Sequence, residues 1–160
     1  MAILSAARPA RNPTVLTVSG PRAERDPRSL APITGTETIL LAEDEESVRK
    51  LLHSVLEACG YQIIEAADGR EALRLFEQNP GSIDLLLTDV IMPGLNGSDL
   101  YRAASAHKPD LKVIYMSGYT GDVLLNNAAC AEGRSFLRKP LKLDVLAAVI
   151  REVLDAPSVQ

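Results

Sequence analysis

Five residues able to do chemistry stand directly after short apolar runs in this 160-residue chain. Glu43 and Asp44 follow Ile39-Leu40-Leu41-Ala42, and Asp89 follows Leu85-Leu86-Leu87-Thr88. Ser117 follows Val113-Ile114-Tyr115-Met116, and Lys139 comes just after Ser135-Phe136-Leu137. If these runs are parallel strands of one open sheet, their carboxyl ends share one edge, and that edge is where such sheets bind ligands. Three carboxylates gathered there repel one another and hold protons unless a cation neutralises them. A hard divalent ion with oxygen ligands relieves the repulsion, and Mg²⁺ suits a site with few carboxylates and room for water and phosphate oxygens. Phosphoryl transfer fits the remaining groups. A carboxylate such as Asp89 can act as nucleophile and form an acyl phosphate, while the metal, the Lys139 ammonium and the Ser117 hydroxyl disperse the charge of the transferring group.

Taken singly, each residue has a plainer reading. Asp44 to Glu46 would serve as an N-terminal cap and dipole partner of a helix. Asp89 would be a turn residue before Met92-Pro93-Gly94, Ser117-Gly118 an ordinary loop, and Lys139 a solvated lysine. Their coincidence at four strand ends on one edge is what favours the shared site.

The elements that must position them follow from hydrophobic pattern. From Thr38 onward, short apolar runs alternate with helix-period stretches, the pattern of repeated strand-helix units around a parallel sheet. Strands are predicted at Ile39 to Ala42, Tyr61 to Glu65, Asp84 to Thr88, Val113 to Met116 and Ser135 to Leu137. The first helix carries Val48, Leu51, Leu52, Val55, Leu56 and Cys59 as one stripe and ends at Gly60, placed as a C-terminal cap. Helices are also predicted at about Gly69 to Gln78 and Ser98 to His107. A fourth, about Asp122 to Ala131, has a thin apolar stripe and two Asn, which are weak helix formers. The last helix shows Leu146, Val149, Ile150, Val153 and Leu154 on one face, and Pro157 follows it.

Residues 1–36 differ in character. They hold five of the ten prolines and five Arg against Glu24 and Asp26, a net of +3, which leaves −7 for the remainder of a chain whose formal charge is −4. This segment reads as a flexible tail or linker, with a weak edge-strand pattern at Thr14 to Val18, ahead of one domain over 37–156 and a short tail at 157–160. A pI near 5.2 gives no broad basic surface for nucleic acid. No run suits a signal peptide or a membrane span, so a cytoplasmic location is expected. Cys59 and Cys130 have no metal or disulfide spacing and read, like Met116, as packing residues. His53 and His107 fall on helices away from the strand-end edge.

The stretches Ile39-Leu-Leu-Ala-Glu-Asp-Glu-Glu46, Asp84-Leu-Leu-Leu-Thr-Asp-Val-Ile-Met-Pro-Gly-Leu-Asn-Gly97, Met116-Ser-Gly-Tyr-Thr120 and Phe136-Leu-Arg-Lys-Pro140 resemble the receiver domains of two-component response regulators. The resemblance spans roughly Thr38 to Asp155. It implies an α/β, flavodoxin-like, doubly wound (βα)5 fold with a five-stranded parallel sheet in the order 2-1-3-4-5. It implies that Asp89 is the phosphoacceptor, that Asp44 ligates Mg²⁺ directly, that Glu43 acts mostly through metal-bound water, and that the backbone carbonyl of Ile91 completes the protein ligands. Ser117 is by the same resemblance the switch hydroxyl, Lys139 the partner of the phosphoryl oxygens, and Phe136 the aromatic that turns inward on activation. The Lys139-Pro140 bond is expected to be cis. Ile91 and Tyr119 flank the phosphoryl group, and their bulk predicts a long-lived phosphoform. Two positions depart from the common pattern: Glu43 stands where Asp is commoner, and Leu141 where many relatives carry an aromatic.

The implied function is a phosphoacceptor that takes its phosphoryl group from a phosphohistidine of a sensor histidine kinase or phosphotransfer protein, a self-phosphorylating signalling domain rather than an enzyme. The face of the fourth predicted helix, the fifth strand and the last helix then signals to a separate protein partner, and the same face offers a homodimer contact. Because Gly35-Thr-Glu-Thr-Ile-Leu-Leu resembles receivers behind hybrid sensor histidine kinases, a second reading is a receiver fragment of such a kinase. A third is a receiver-fold interaction module that works without phosphorylation. A haloacid-dehalogenase-type phosphatase would want a second Asp two residues after Asp89, where Ile91 stands. A nucleotide site would want Gly and backbone N–H groups in the acidic loop after strand one.

Overall fold

The computed structural model describes residues 34–118 and 134–158. The predicted fourth helix, the Thr14–Val18 strand, Tyr119 and Cys130 lie outside the described residues. Within them the order is β1 (Thr38–Ala42), α1 (Glu46–Ala58), β2 (Gln62–Ala66), α2 (Gly69–Gln78), β3 (Leu85–Asp89), α3 (Gly97–His107), β4 (Lys112–Ser117), β5 (Ser135–Arg138) and α4 (Leu143–Asp155). All five strands are parallel, in the order β2-β1-β3-β4-β5. The expected topology is therefore the observed one.

Period-two alternation divides the strand side chains between two cores. Leu40, Ala42, Leu86, Val113 and Tyr115 face one side, where Phe76 of α2 and Leu100 and Ala104 of α3 cover them. Ile39, Leu41, Leu85, Leu87, Ile114 and Met116 face the other, beneath Leu52 and Leu56 of α1 and Leu146 and Ile150 of α4. A strand covered on both faces reads as an unbroken apolar run, as β3 does. Such a run of leucines cannot choose its own register, because a one-residue slip exchanges one leucine for another. Asp84 supplies the missing information: its side chain accepts from Thr38 N–H at 2.9 Å and its own N–H donates to the Thr38 carbonyl at 2.9 Å. The strand runs Leu85–Asp89, one residue later at each end than the predicted Asp84 to Thr88, so Asp89 is its last residue.

Helix ends follow local chemistry. Asp68 caps α2 by accepting from Glu71 N–H at 2.8 Å, and Asn96 caps α3 by accepting from Asp99 N–H at 2.8 Å. Gly60 takes φ +93°, and the N–H groups of Gly60 and Tyr61 return to the carbonyls of Glu57 and Leu56, closing α1 with the paired bonds of a glycine-terminated helix. The C-terminal end of α4 is closed from across the fold, where Lys112 Nζ donates to the carbonyls of Leu154 and Ala156 at 2.5 and 2.7 Å. Ahead of β1, Gly35 N–H donates to the Cys59 carbonyl at 3.0 Å, and Arg151 of α4 holds Glu37 at 2.7 Å. Among the described residues no helix is long and apolar enough to cross a membrane.

Candidate functional site

The carboxyl edge of the sheet carries the site. Glu43 leaves β1 fully buried, Asp44 follows it into solvent, and Asp89 ends β3 at 9% exposure. Carboxylate oxygens of these three residues lie within 4.8 Å of one another. Lys139, just past β5, reaches into the same pocket: its Nζ donates to Asp89 Oδ2 at 2.7 Å and to Glu43 Oε2 at 2.8 Å. The other Glu43 oxygen accepts from Glu45 N–H at 3.1 Å. A cleft of about 370 Å³ opens over this group, lined by Glu43, Asp44, Glu45, Asp89, Ile91, Gly118 and Lys139.

Each side chain is placed by a local device. Val90 N–H donates to the Met116 carbonyl at 2.9 Å, and Gly97 N–H returns to the Val90 carbonyl at 2.9 Å, so the chain leaving β3 is bonded on both sides. Gly97 is obligatory there, because a Cβ would collide with the Asp89 carbonyl oxygen. Lys139 N–H donates to the Ser117 carbonyl at 2.8 Å, which ties the lysine loop to the end of β4, and the Lys139-Pro140 bond is cis. Glu45, the residue before α1, makes no side-chain cap bond to the helix.

Electrostatics follow from burial and pairing. Burial pushes the Glu43 carboxyl above its ordinary range, and the bonds from Lys139 and the Glu45 N–H only partly oppose it. Burial alone would lower the Lys139 ammonium, but the hydrogen bonds from Asp89 and Glu43 outweigh it and leave the group above its ordinary value. The lysine is thus held charged between two acids, the state in which it can balance added negative charge.

The structure brings Glu43, Asp44, Asp89, Ile91 and Lys139 together around the cleft. Ile91 stands at its mouth, 56% exposed. Ser117 is buried at the end of β4 beside this group, and its side chain is not among those lining the cleft. Phe136 lies apart, packed against the α2–α3 side of the core and stacked on Tyr115 at 5.1 Å. Sequence reasoning missed Arg49, whose guanidinium donates to the Glu43 carbonyl at 2.7 Å and fixes the turn between the two acids. A lone arginine on an amphipathic helix gives no warning of such a bond. It missed as well the contact of His53 Nδ1 with a Glu65 carboxylate oxygen at 2.8 Å, which joins α1 to β2.

Residues 39–151 match the response regulator receiver domain family. Among curated relatives, the sensor kinase CckA of Brucella abortus is 38% identical over 77% of this chain, a match that spans 13% of the kinase. The response regulator receiver protein CpdR of Brucella abortus is 35% identical over 74% of this chain and 97% of its own length. Among solved structures, the response regulator protein TrrA of Thermotoga maritima, in complex with Mg²⁺-BeF, is 28% identical and superposes with a TM-score of 0.65 over 74% of this chain and 99% of that one. This chain thus corresponds to about an eighth of one relative and to nearly the whole of another. With a family match over most of its length and the sheet order of that family, the chain belongs to the response regulator receiver domains of two-component signalling.

Proposed function

We propose that Asp89 is the phosphoacceptor of this receiver domain and that a Mg²⁺ ion held beside it is required for phosphorylation. The observation that carries the reading is the bridge from Lys139 Nζ to both Asp89 and Glu43, with the Asp44 carboxylate within 4.8 Å of them. The residues fit the metal: they are hard oxygen donors, few in number, at an open cleft with room for water and phosphate oxygens. Asp44, Asp89 and the Ile91 carbonyl would hold the ion directly and Glu43 through water, since Glu43 already serves Lys139 and the Glu45 N–H. Mg²⁺ bound there supplies positive charge against the acids and the phosphoryl oxygens.

The chain's own groups do the rest. Lys139 orients the Asp89 carboxylate by its Oδ2 and stays charged to stabilise the incoming group. An Asp89 oxygen bonds to phosphorus as the bond to the donor imidazole nitrogen breaks, and the nitrogen keeps that electron pair. The carboxylate gives up its own charge to the new bond and the phosphoryl group brings up to two, so Asp89 gains up to one net negative charge and three phosphoryl oxygens. The Ser117 hydroxyl is drawn toward the new oxygens, and Phe136 takes up the space released, which shifts an existing equilibrium. The donor is a sensor histidine kinase or phosphotransfer protein in the cytoplasm, and the signal leaves through a separate partner protein.

A second reading, that the chain is the receiver segment of a hybrid kinase, is supported by the sensor kinase relative in which the match covers only 13% of the length. Both readings require the same chemistry. Adding Mg²⁺ with beryllofluoride as a phosphoryl stand-in should shift the backbone amide resonances of Ser117 and Phe136, and Asp89→Asn should abolish those shifts. Silence at both amides, or the same shifts in the variant, would favour an interaction module that works without phosphorylation.

A further inference from the structure

Three aromatic rings and a guanidinium run across the α3 side of the sheet in direct contact. Tyr115 of β4 and Phe136 of β5 are register partners on neighbouring strands, and their rings stack with centroids 5.1 Å apart and planes 28° from parallel. Tyr101 of α3 meets Tyr115 edge to face, at 6.4 Å and 76°. Arg134 sits over the Tyr101 ring, its guanidinium carbon 4.5 Å from the centroid. Tyr115 is the middle member and is 1% exposed.

The position of Tyr115 gives this run a bearing on the site. Side chains two apart on a strand share a face, so Ser117 lies on the same face of β4 as Tyr115, one step toward the acid pocket. Arg134 directly precedes β5 and Phe136 is the second residue of that strand, so one short segment carries both ends of the aromatic run while its middle is buried. A buried ring in close packing cannot lose its stacking partner without a neighbour responding, because interiors at crystal-like density have no slack to absorb the change. Tyr101, Arg134 and Phe136 also line a groove of about 590 Å³, so a ring displaced here alters the surface.

We propose that Tyr115 is a positioning residue that couples Phe136 to Tyr101, so that the phosphorylation state of Asp89 is expressed at the Tyr101–Arg134 corner on α3 as well as at β5. This inference rests on Phe136 being the aromatic that moves when Asp89 is modified. Tyr115 is assigned a positioning role through its ring contacts with Phe136 and Tyr101. Coupling through packed side chains is demonstrated only by perturbing both ends. Equilibrium coupling is also reciprocal, so altering Tyr101 must change what happens at the acid pocket.

The full chain, labelled with fluorophenylalanine in one preparation and fluorotyrosine in another, tests this by ¹⁹F NMR, with Phe136→Leu and Tyr101→Phe used for assignment. Mg²⁺ with beryllofluoride should move the Phe136 and Tyr101 resonances together in the native protein. In Tyr115→Leu the Phe136 signal should still respond while Tyr101 loses its response; Tyr115→Phe, which keeps the ring, should restore it. As a second variant at a partly exposed position, Tyr101→Leu should move the half-saturating beryllofluoride concentration by about two- to tenfold, the range expected for one aromatic pair. The proposal is overturned if Tyr101 responds fully in Tyr115→Leu, if Tyr101 is silent in the native protein while Phe136 moves, or if Tyr101→Leu leaves half-saturation unchanged. A native protein in which neither ring responds would instead sink the switch reading itself, and this inference with it.

Discussion

The most informative residue is Lys139, because one ammonium satisfies two acids that burial would otherwise leave as unpaired charges. Removing it has a specific consequence. Lys139→Met should lower stability in EDTA by about 1–3 kcal/mol, the cost of leaving a buried acid without its partner, and Mg²⁺ should recover more stability in the variant than in the native protein. Thermal melts with and without the metal check this; an Mg²⁺ effect no larger in the variant would argue against a shared anionic pocket. A second ion pair makes a prediction in pH. The Arg151 guanidinium, by its hydrogen bond, holds the Glu37 carboxyl below its ordinary value of 4.5. A carboxyl depressed on folding binds its proton more readily in the unfolded chain, so its contribution is present above about pH 4.5 and is lost as pH falls through the folded value. Glu37→Gln should cost about 0.5–1 kcal/mol at neutral pH, as expected for a partly exposed pair, with the difference closing in acid. Urea midpoints at pH 7 and pH 3 measure both.

At the scale of elements, much of the fold was legible because burial imposes periodicity. The unbroken leucines of β3 announced a strand covered on both faces, and the stripe of α1 ending at Gly60 announced both the helix and its termination. Chemistry at the strand ends was legible for a related reason, since polar residues directly after apolar runs must emerge at one edge. What stayed hidden are pairings between segments far apart whose residue types carry no periodic signal. Lys112 is an instance: nothing local shows that it reaches forty-two residues ahead to the Leu154 carbonyl. Arg49, Tyr101 and Tyr115 are others, since an arginine on a helix or a tyrosine in a strand looks the same whether or not it meets a partner. The register of β3 against β1 was hidden too, since a run of leucines does not choose it and the bond of Asp84 to Thr38 N–H has no periodic signal. Lys112→Met should unseat the end of α4, which carries Arg151 and the core residue Ile150. We expect a loss of about 1–2 kcal/mol from two charge-assisted bonds to carbonyls, with hydrogen exchange accelerated at residues 150–155; protection unchanged there would show that α4 needs no such cap.

At the scale of the molecule, the site exists only because separate strand-helix crossovers deliver Glu43, Asp89, Ser117 and Lys139 to one edge of one sheet. No local segment contains it, and the scaffold that assembles it devotes both faces of β1 and β3 to core packing. The assembled pocket, with a divalent cation, must therefore direct phosphorylation to a single acid of the whole chain. Incubation with a small phosphodonor, with and without Mg²⁺, followed by intact-mass measurement of the native protein and of Asp89→Asn, tests this most directly. One added phosphoryl group is expected in the native protein with Mg²⁺ present, and none in the variant or in EDTA; labelling of Asp89→Asn to the same extent, or labelling indifferent to Mg²⁺, would contradict Asp89 as the metal-dependent phosphoacceptor.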